Sequence, residues 1–118
     1  MAKSKALIEK EIKRIITGLH KEVFGKGPEE LWVKIHRNVA TFSCTKTLTP
    51  LENYLQSTPE GDNEIARIRM TISKTAKTQL CSEIELACGL RVLGITDEIY
   101  ICSDVLYGAI LFQENIDN

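Results

Sequence analysis

An arginine stands where an apolar residue belongs. At 100° per residue, positions 62–88 place Ile65, Ile68, Ile72, Ala76, Leu80 and Ala87 in one broad stripe. Arg67, Lys74, Thr78 and Glu85 fall on the opposite side. Arg69 projects between Ile65 and Ala76, inside the stripe, and Glu83 enters it further along. A charge in that position has to snorkel, pair or meet a ligand, because an unpaired buried charge is costly. A guanidinium suits the oxygens of carboxylate, phosphate or bicarbonate. Two roles therefore stand open for Arg69: a structural or intersubunit ion pair, and an anion site. Asp97 is its expected partner, either in direct contact or across a small anion pocket.

The other reactive residue types form weaker patterns. Cys81 and Cys88 lie seven apart on similar helix faces, but no C-x-x-C is present. His20 and His36 make no i,i+4 pair, so no metal or cofactor is expected. A Cys–His nucleophile has no support in the spacing. Asp97 and Glu98 are adjacent on a strand and point to opposite faces, so they do not form an acid–base pair. Gly25-Lys26-Gly27-Pro28 suggests a phosphate cradle, yet it lacks the Walker spacing and a preceding strand, which favours a plain turn. No catalytic constellation is legible, and a non-enzymatic protein is expected.

The elements that hold these residues are short apart from one. Ser4 is placed to cap a helix over 5–23, with Leu7, Ile8, Ile12, Ile15, Ile16, Leu19 and Val23 on its apolar side and Gly25 at its end. Glu9 and Lys13 stand at i,i+4 on its wet side. Residues 31–36 and 39–46 alternate as two strands of a hairpin, with Arg37-Asn38 in the turn and Asn38 suited to positive φ. Trp32 falls on the more polar face and is expected to lie under a second subunit. Thr49, Pro50 and Glu52 make a capping box for a short helix over 50–56. Thr58 and Pro59 then start the long helix, and Gly89 ends it. If helical throughout, positions 62–88 span roughly 40 Å, so one end overhangs the core or meets a second subunit. Residues 90–100 and 105–113 read as two further strands, with Gly94 and Gly108 at bulges or close approaches. Met1–Lys5 and Glu114–Asn118 are polar ends.

At 118 residues the chain is expected to form one domain over 1–118. A hydrophobic fraction of 43% sets it apart from disordered chains, and a formal net charge of −1 argues against a general nucleic-acid binder. The charge is uneven: residues 1–27 carry seven Lys/Arg against three Glu, while 97–118 carry five Asp/Glu and no Lys/Arg. The two ends are suited to attract each other within or between subunits, and the basic one to touch an anionic membrane. No apolar run is long enough to span a bilayer and no signal peptide is visible, so a cytoplasmic location with reduced cysteines is expected.

Taken in order, Gly25-Lys26-Gly27-Pro28 with a following strand, Leu48-Thr49-Pro50-Leu51-Glu52, Gly61, Arg67 with Arg69, and Gly89 before a strand ending at Asp97 resemble the MpsC-like family. The resemblance covers about residues 5–113. That family is named for the soluble third component of a sodium-translocating, membrane-potential-generating system. The resemblance implies a role in cation or inorganic-carbon transport with a membrane transporter as partner. The chain departs from the family pattern at Gly94-Ile95-Thr96-Asp97, where a His-Ser-Asp-like run is typical.

The expected architecture is α+β in two layers, αββαββ, a four-stranded, mainly antiparallel sheet with the long helix and the N-terminal helix on one face. The expected assembly is a homodimer that covers Trp32 and the long helix, with Glu83 at the interface. The first reading is an accessory or regulatory protein. The second is a small anion sensor built on Arg69, with Arg67 and Asp97 beside it.

Overall fold

The computed structural model describes residues 3–116. The outermost residues of the two polar ends, 1, 2, 117 and 118, lie outside the described residues. Helix α1 (Lys5–Phe24) begins at Ser4, whose Oγ accepts the Leu7 amide, and closes on Gly25 in the left-handed region. A hairpin follows, β1 (Glu30–His36) and β2 (Val39–Thr45). The chain then forms short helix α2 (Pro50–Leu55), long helix α3 (Gly61–Cys88), and strands β3 (Val92–Tyr100) and β4 (Val105–Phe112). The strands lie in the order β1-β2-β4-β3 and all neighbours are antiparallel. This is the expected α+β arrangement.

Strand alternation divides the sheet into two unlike faces. Val33, Ile35, Ala40, Phe42, Cys44, Ile110 and Phe112 point to the helices and pack with Ile8, Ile12, Ile15, Ile16 and Leu19 of α1 and Leu80, Ile84 and Cys88 of α3. On the other face, Trp32, Ser43, Tyr107 and Glu98 form one row across all four strands. Trp32 is 51% exposed there, and Tyr107 and Leu111 are exposed on the same face. α1 also guards an edge of the sheet: the Glu9 carboxylate accepts the Ile35 amide of β1 at 2.9 Å. Glu9 thus reaches across to the sheet, and the ion pair on this part of α1 is Arg14 with Glu11.

α3 departs from the expected stripe in an instructive way. Its buried residues are Gly61, Ile65, Arg69, Leu80, Ile84 and Cys88. Ile68 lies at the border of the covered side, 36% exposed. Glu83 lies outside the stripe, exposed and bonded to Gln79 at 3.2 Å, because Ile84 one position on is the residue aligned with the core. Between Arg69 and Leu80 no residue is fully buried, so the middle of the helix is less closely covered than its two ends.

Two local expectations are corrected. Thr58 does not cap α3; its hydroxyl donates to the Leu55 carbonyl at 2.7 Å and the helix starts at Gly61. Residues 57–60 are used instead to fold α2 back against α3. The positive φ in the hairpin turn belongs to Arg37, at 58°, rather than Asn38. The Asn38 side chain is occupied elsewhere, donating to the Phe112 carbonyl at 3.1 Å. The C-terminal end is tied as far as Ile116, whose amide meets the Arg37 carbonyl and whose side chain packs on the core. Gly94 sits at a register shift in β3. A Cβ on Gly108 would lie 2.0 Å from the Thr96 carbonyl oxygen and 2.8 Å from the Phe42 ring.

Candidate functional site

Arg69 is buried, and its partner is Glu52 rather than Asp97. Nε meets one carboxylate oxygen and Nη2 the other, each at 2.6 Å, with the two side chains only 7% and 6% exposed. Nη2 also donates to the Thr47 carbonyl at 2.9 Å, and Nη1 faces His20 Nε2 at 3.4 Å. The guanidinium carbon lies 3.8 Å from the centre of the Phe24 ring, a cation–π distance. This forked, desolvated geometry is where an arginine pair is strongest.

Each partner is held by a local signal in the sequence. Glu52 occupies its place because it closes the α2 capping box: Oε1 accepts both the Thr49 amide and hydroxyl, while Thr49 Oγ1 accepts the Glu52 amide. Thr47 is fixed from the other side by Asp104, whose carboxylate accepts the Thr47 and Leu48 amides and the Thr47 hydroxyl. Asp104 itself takes a left-handed conformation at the entry to β4. His20 Nδ1 lies 2.6 Å from the Lys26 carbonyl, which can only accept, so this nitrogen carries the proton. Nε2 is then the acceptor for Arg69. The Lys26 ammonium donates to the Leu48 carbonyl at 3.3 Å. Gly25-Lys26-Gly27-Pro28 is therefore a helix-to-strand turn that clips the Leu48 loop.

Burial pushes the Glu52 carboxyl up, but the Arg69 and Thr49 hydrogen bonds outweigh it, and its pKa lies below the ordinary 4.5. His20 is shifted below 6.5, first by burial and then by the charge of Arg69, against the opposing bond to Lys26. Both shifts leave the folded state with fewer protons than the unfolded chain in acid. The stability they contribute is present above the unfolded pKa and is lost as pH falls. Stability is therefore expected to decline below about pH 6.5 as His20 must charge, and again below about 4.5 as Glu52 must protonate. His20→Asn, which keeps a donor for the Lys26 carbonyl, is expected to abolish the first decline in a chemical-denaturation series against pH. Two declines persisting in that variant would contradict the assignment.

Asp97 belongs to a second cluster. Its Oδ1 accepts Ser73 Oγ at 2.9 Å and lies 3.2 Å from Lys77 Nζ. Arg69 and Asp97 are brought to the walls of the same half-open cavity of about 370 Å³ without touching. That cavity lies under the middle of α3, with Ile16, Leu19, Phe24, Phe42, Ile72, Leu80 and Leu106 among its walls. Arg67 is not part of it: it is exposed and pairs with Glu64 at 2.6 Å. Trp32 and Glu83 are also remote from it, on the open sheet face and the outer side of α3.

Three of the thiols are shifted away from the reactive thiolate form. Burial pushes Cys44 up to about 12 and raises Cys81 and Cys88, which keeps them protonated. All four cysteines are free, with Cys102 exposed. Among the described residues no group of His, Cys, Asp and Glu could hold a metal ion.

Glu52, Thr47 and His20 were not legible as partners of Arg69, nor Asp104 as the anchor of Thr47. Glu52 already had a local explanation as a cap. The available signal was Arg69 itself, which demanded a carboxylate, together with Gly61, where α2 and α3 come too close for any side chain. The Gly25–Pro28 turn, Leu48–Glu52, Gly61 and Arg69 are far apart in sequence. In the fold they build one clasp that joins α1, α2, α3 and the loop after β2.

The chain is 27% identical over 108 residues to the uncharacterized protein YrhF of Bacillus subtilis (strain 168), covering 91% of this chain and 88% of that one. No solved structure matches it. The family model described as Na+-translocating membrane potential-generating system (MpsC) matches residues 4–113. With nearly its whole length matched, the chain belongs to the MpsC family.

Proposed function

We propose that this protein is a non-enzymatic accessory or regulatory component of a cation or inorganic-carbon transport system, acting as a homodimer in the cytoplasm. The family match carries this reading. Among the described residues no helix is long and apolar enough to cross a membrane, so the proposed contact with a membrane transporter is made from the surface of the domain.

The open sheet face supports self-association. Trp32, Tyr107 and Leu111 supply exposed apolar area on it, and β1 carries Lys34 at one edge while β3 carries Glu98 at the other. A two-fold axis parallel to the strands sets one copy's β1 over its partner's β3, which brings opposite charges together. In the alternative reading, an anion sensor built on Arg69, an anion that takes the guanidinium fork displaces Glu52.

Co-purification of the tagged chain from gently solubilised native membranes tests the proposal. The expected result is recovery of integral transport subunits, with a chain mass twice that of the monomer by light scattering. Recovery of a monomer without membrane subunits would overturn it.

A further inference from the structure

The cavity under α3 has the makings of a ligand site that the clasp does not use. α3 is seated at both ends, by Gly61, Ile65 and Arg69 at one and Leu80, Ile84 and Cys88 at the other. Between them Ile72, Ser73, Ala76 and Lys77 are only half-buried, and the space beneath them is the 370 Å³ cavity. Small-molecule sites run from about 300 to 1,000 Å³, with mostly apolar walls and a few convergent polar groups. These walls fit that description. Ile16, Leu19, Phe42, Ile72, Leu80 and Leu106 surround the interior, and the polar groups lie on α3 and β3, with His20 of α1 beside Arg69.

The polar groups favour one kind of head. Arg69 has five N–H donors; two meet Glu52, one meets Thr47 and one faces His20, which leaves one on Nη1. Lys77 has three donors, of which one is directed at Asp97. Lys74 stands at the border of the same cavity. The acid facing the cavity is Asp97, whose Oδ1 is already shared by Ser73 and Lys77; the Glu98 side chain belongs to the open face of the sheet. Unspent donors thus lie on the α3 side, above an apolar interior.

We propose that the cavity between α1, α3 and the sheet binds a small carboxylate with an apolar body, its head held by Lys77 and the remaining Nη1 N–H of Arg69. The site keeps the Arg69–Glu52 clasp intact and so differs from an anion sensor that displaces Glu52. It holds or fails independently of the transport reading.

Calorimetric titration below micellar concentration tests it, with decanoate and 4-phenylbutyrate as probes and decylamine as the control head. Binding of either carboxylate, absent in Ala76→Phe and weakened about tenfold in Lys77→Gln, is the expected result. Lys77 is half-exposed, so its variant is expected to fold even if Ala76→Phe does not. The single tryptophan reports location. Trp32 lies on the opposite face, and its emission is expected to stay unchanged when a ligand enters the cavity. Failure of both carboxylates to bind, tighter binding of decylamine, affinity indifferent to Lys77→Gln, or a blue shift of Trp32 would each overturn the proposal.

Discussion

Arg69→Met lowers the thermal midpoint by about 15 °C. The substitution keeps an apolar stem of similar length and removes the charge, so Glu52 is left as a buried carboxylate with only its Thr49 contacts. Breaking a buried pair from one side costs about 3–5 kcal/mol, because the surviving charge is stranded. In a domain of this size each kcal/mol moves the midpoint by about 4 °C. The effect extends beyond the pair. Thr47 loses a donor to its carbonyl, and His20 loses the donor facing Nε2. α1, α2 and the loop after β2 are thereby uncoupled from α3 at one end. Calorimetry or circular-dichroism melting measures the shift. An unchanged midpoint together with an unchanged oligomeric state would sink the structural role of Arg69.

Gly61→Ala separates helix propensity from tertiary packing. Propensity alone favours the alanine, by up to about 1 kcal/mol in a helix interior. The fold opposes it. A Cβ at this position would lie 1.4 Å from the Leu55 carbonyl oxygen and 2.3 Å from its carbon, both backbone atoms that cannot rotate away. Overpacking ordinarily costs about 1–3 kcal/mol, and a collision with backbone belongs at or above the upper end. The expected outcome in urea denaturation is a loss of about 3 kcal/mol. A raised midpoint would mean that α2 does not return against α3 as described. Because α2 carries Glu52, the same variant is expected to loosen the Arg69 contact, and the effects of Gly61→Ala and Arg69→Met should then be less than additive.

These two positions also mark the limit of what the sequence discloses. Ser4, Gly25, Thr49-Pro50-Glu52 and Gly89 were legible because a cap and the groups it satisfies lie within four residues of each other. Trp32 was placed on the outward face by strand alternation, which needs no tertiary information. Arg69 was identified as an anomaly by periodicity, but its partner was not. Glu52 lies seventeen residues earlier and meets Arg69 only because the turn at 57–60 reverses the chain. Its local role as a cap also appeared complete, although one carboxylate accepts from Thr49 and Arg69 together. Glu83 was misplaced because a broad stripe on a helical projection does not say which of two neighbouring residues meets the core. The cavity was beyond sequence altogether, since Ile72 and Ala76 continue the apolar pattern over a region where they are only half-buried.

A double-mutant cycle between Arg69 and Glu52 tests most directly whether the clasp is one interacting unit. Glu52→Gln retains an acceptor for the Thr49 cap while removing the charge, so the cycle of Arg69→Met, Glu52→Gln and the double variant isolates the ion pair. Measured by chemical denaturation, the coupling is expected to be at least about 2 kcal/mol, with the double variant more stable than Arg69→Met alone. Additive single effects, with coupling below about 0.5 kcal/mol, would contradict it.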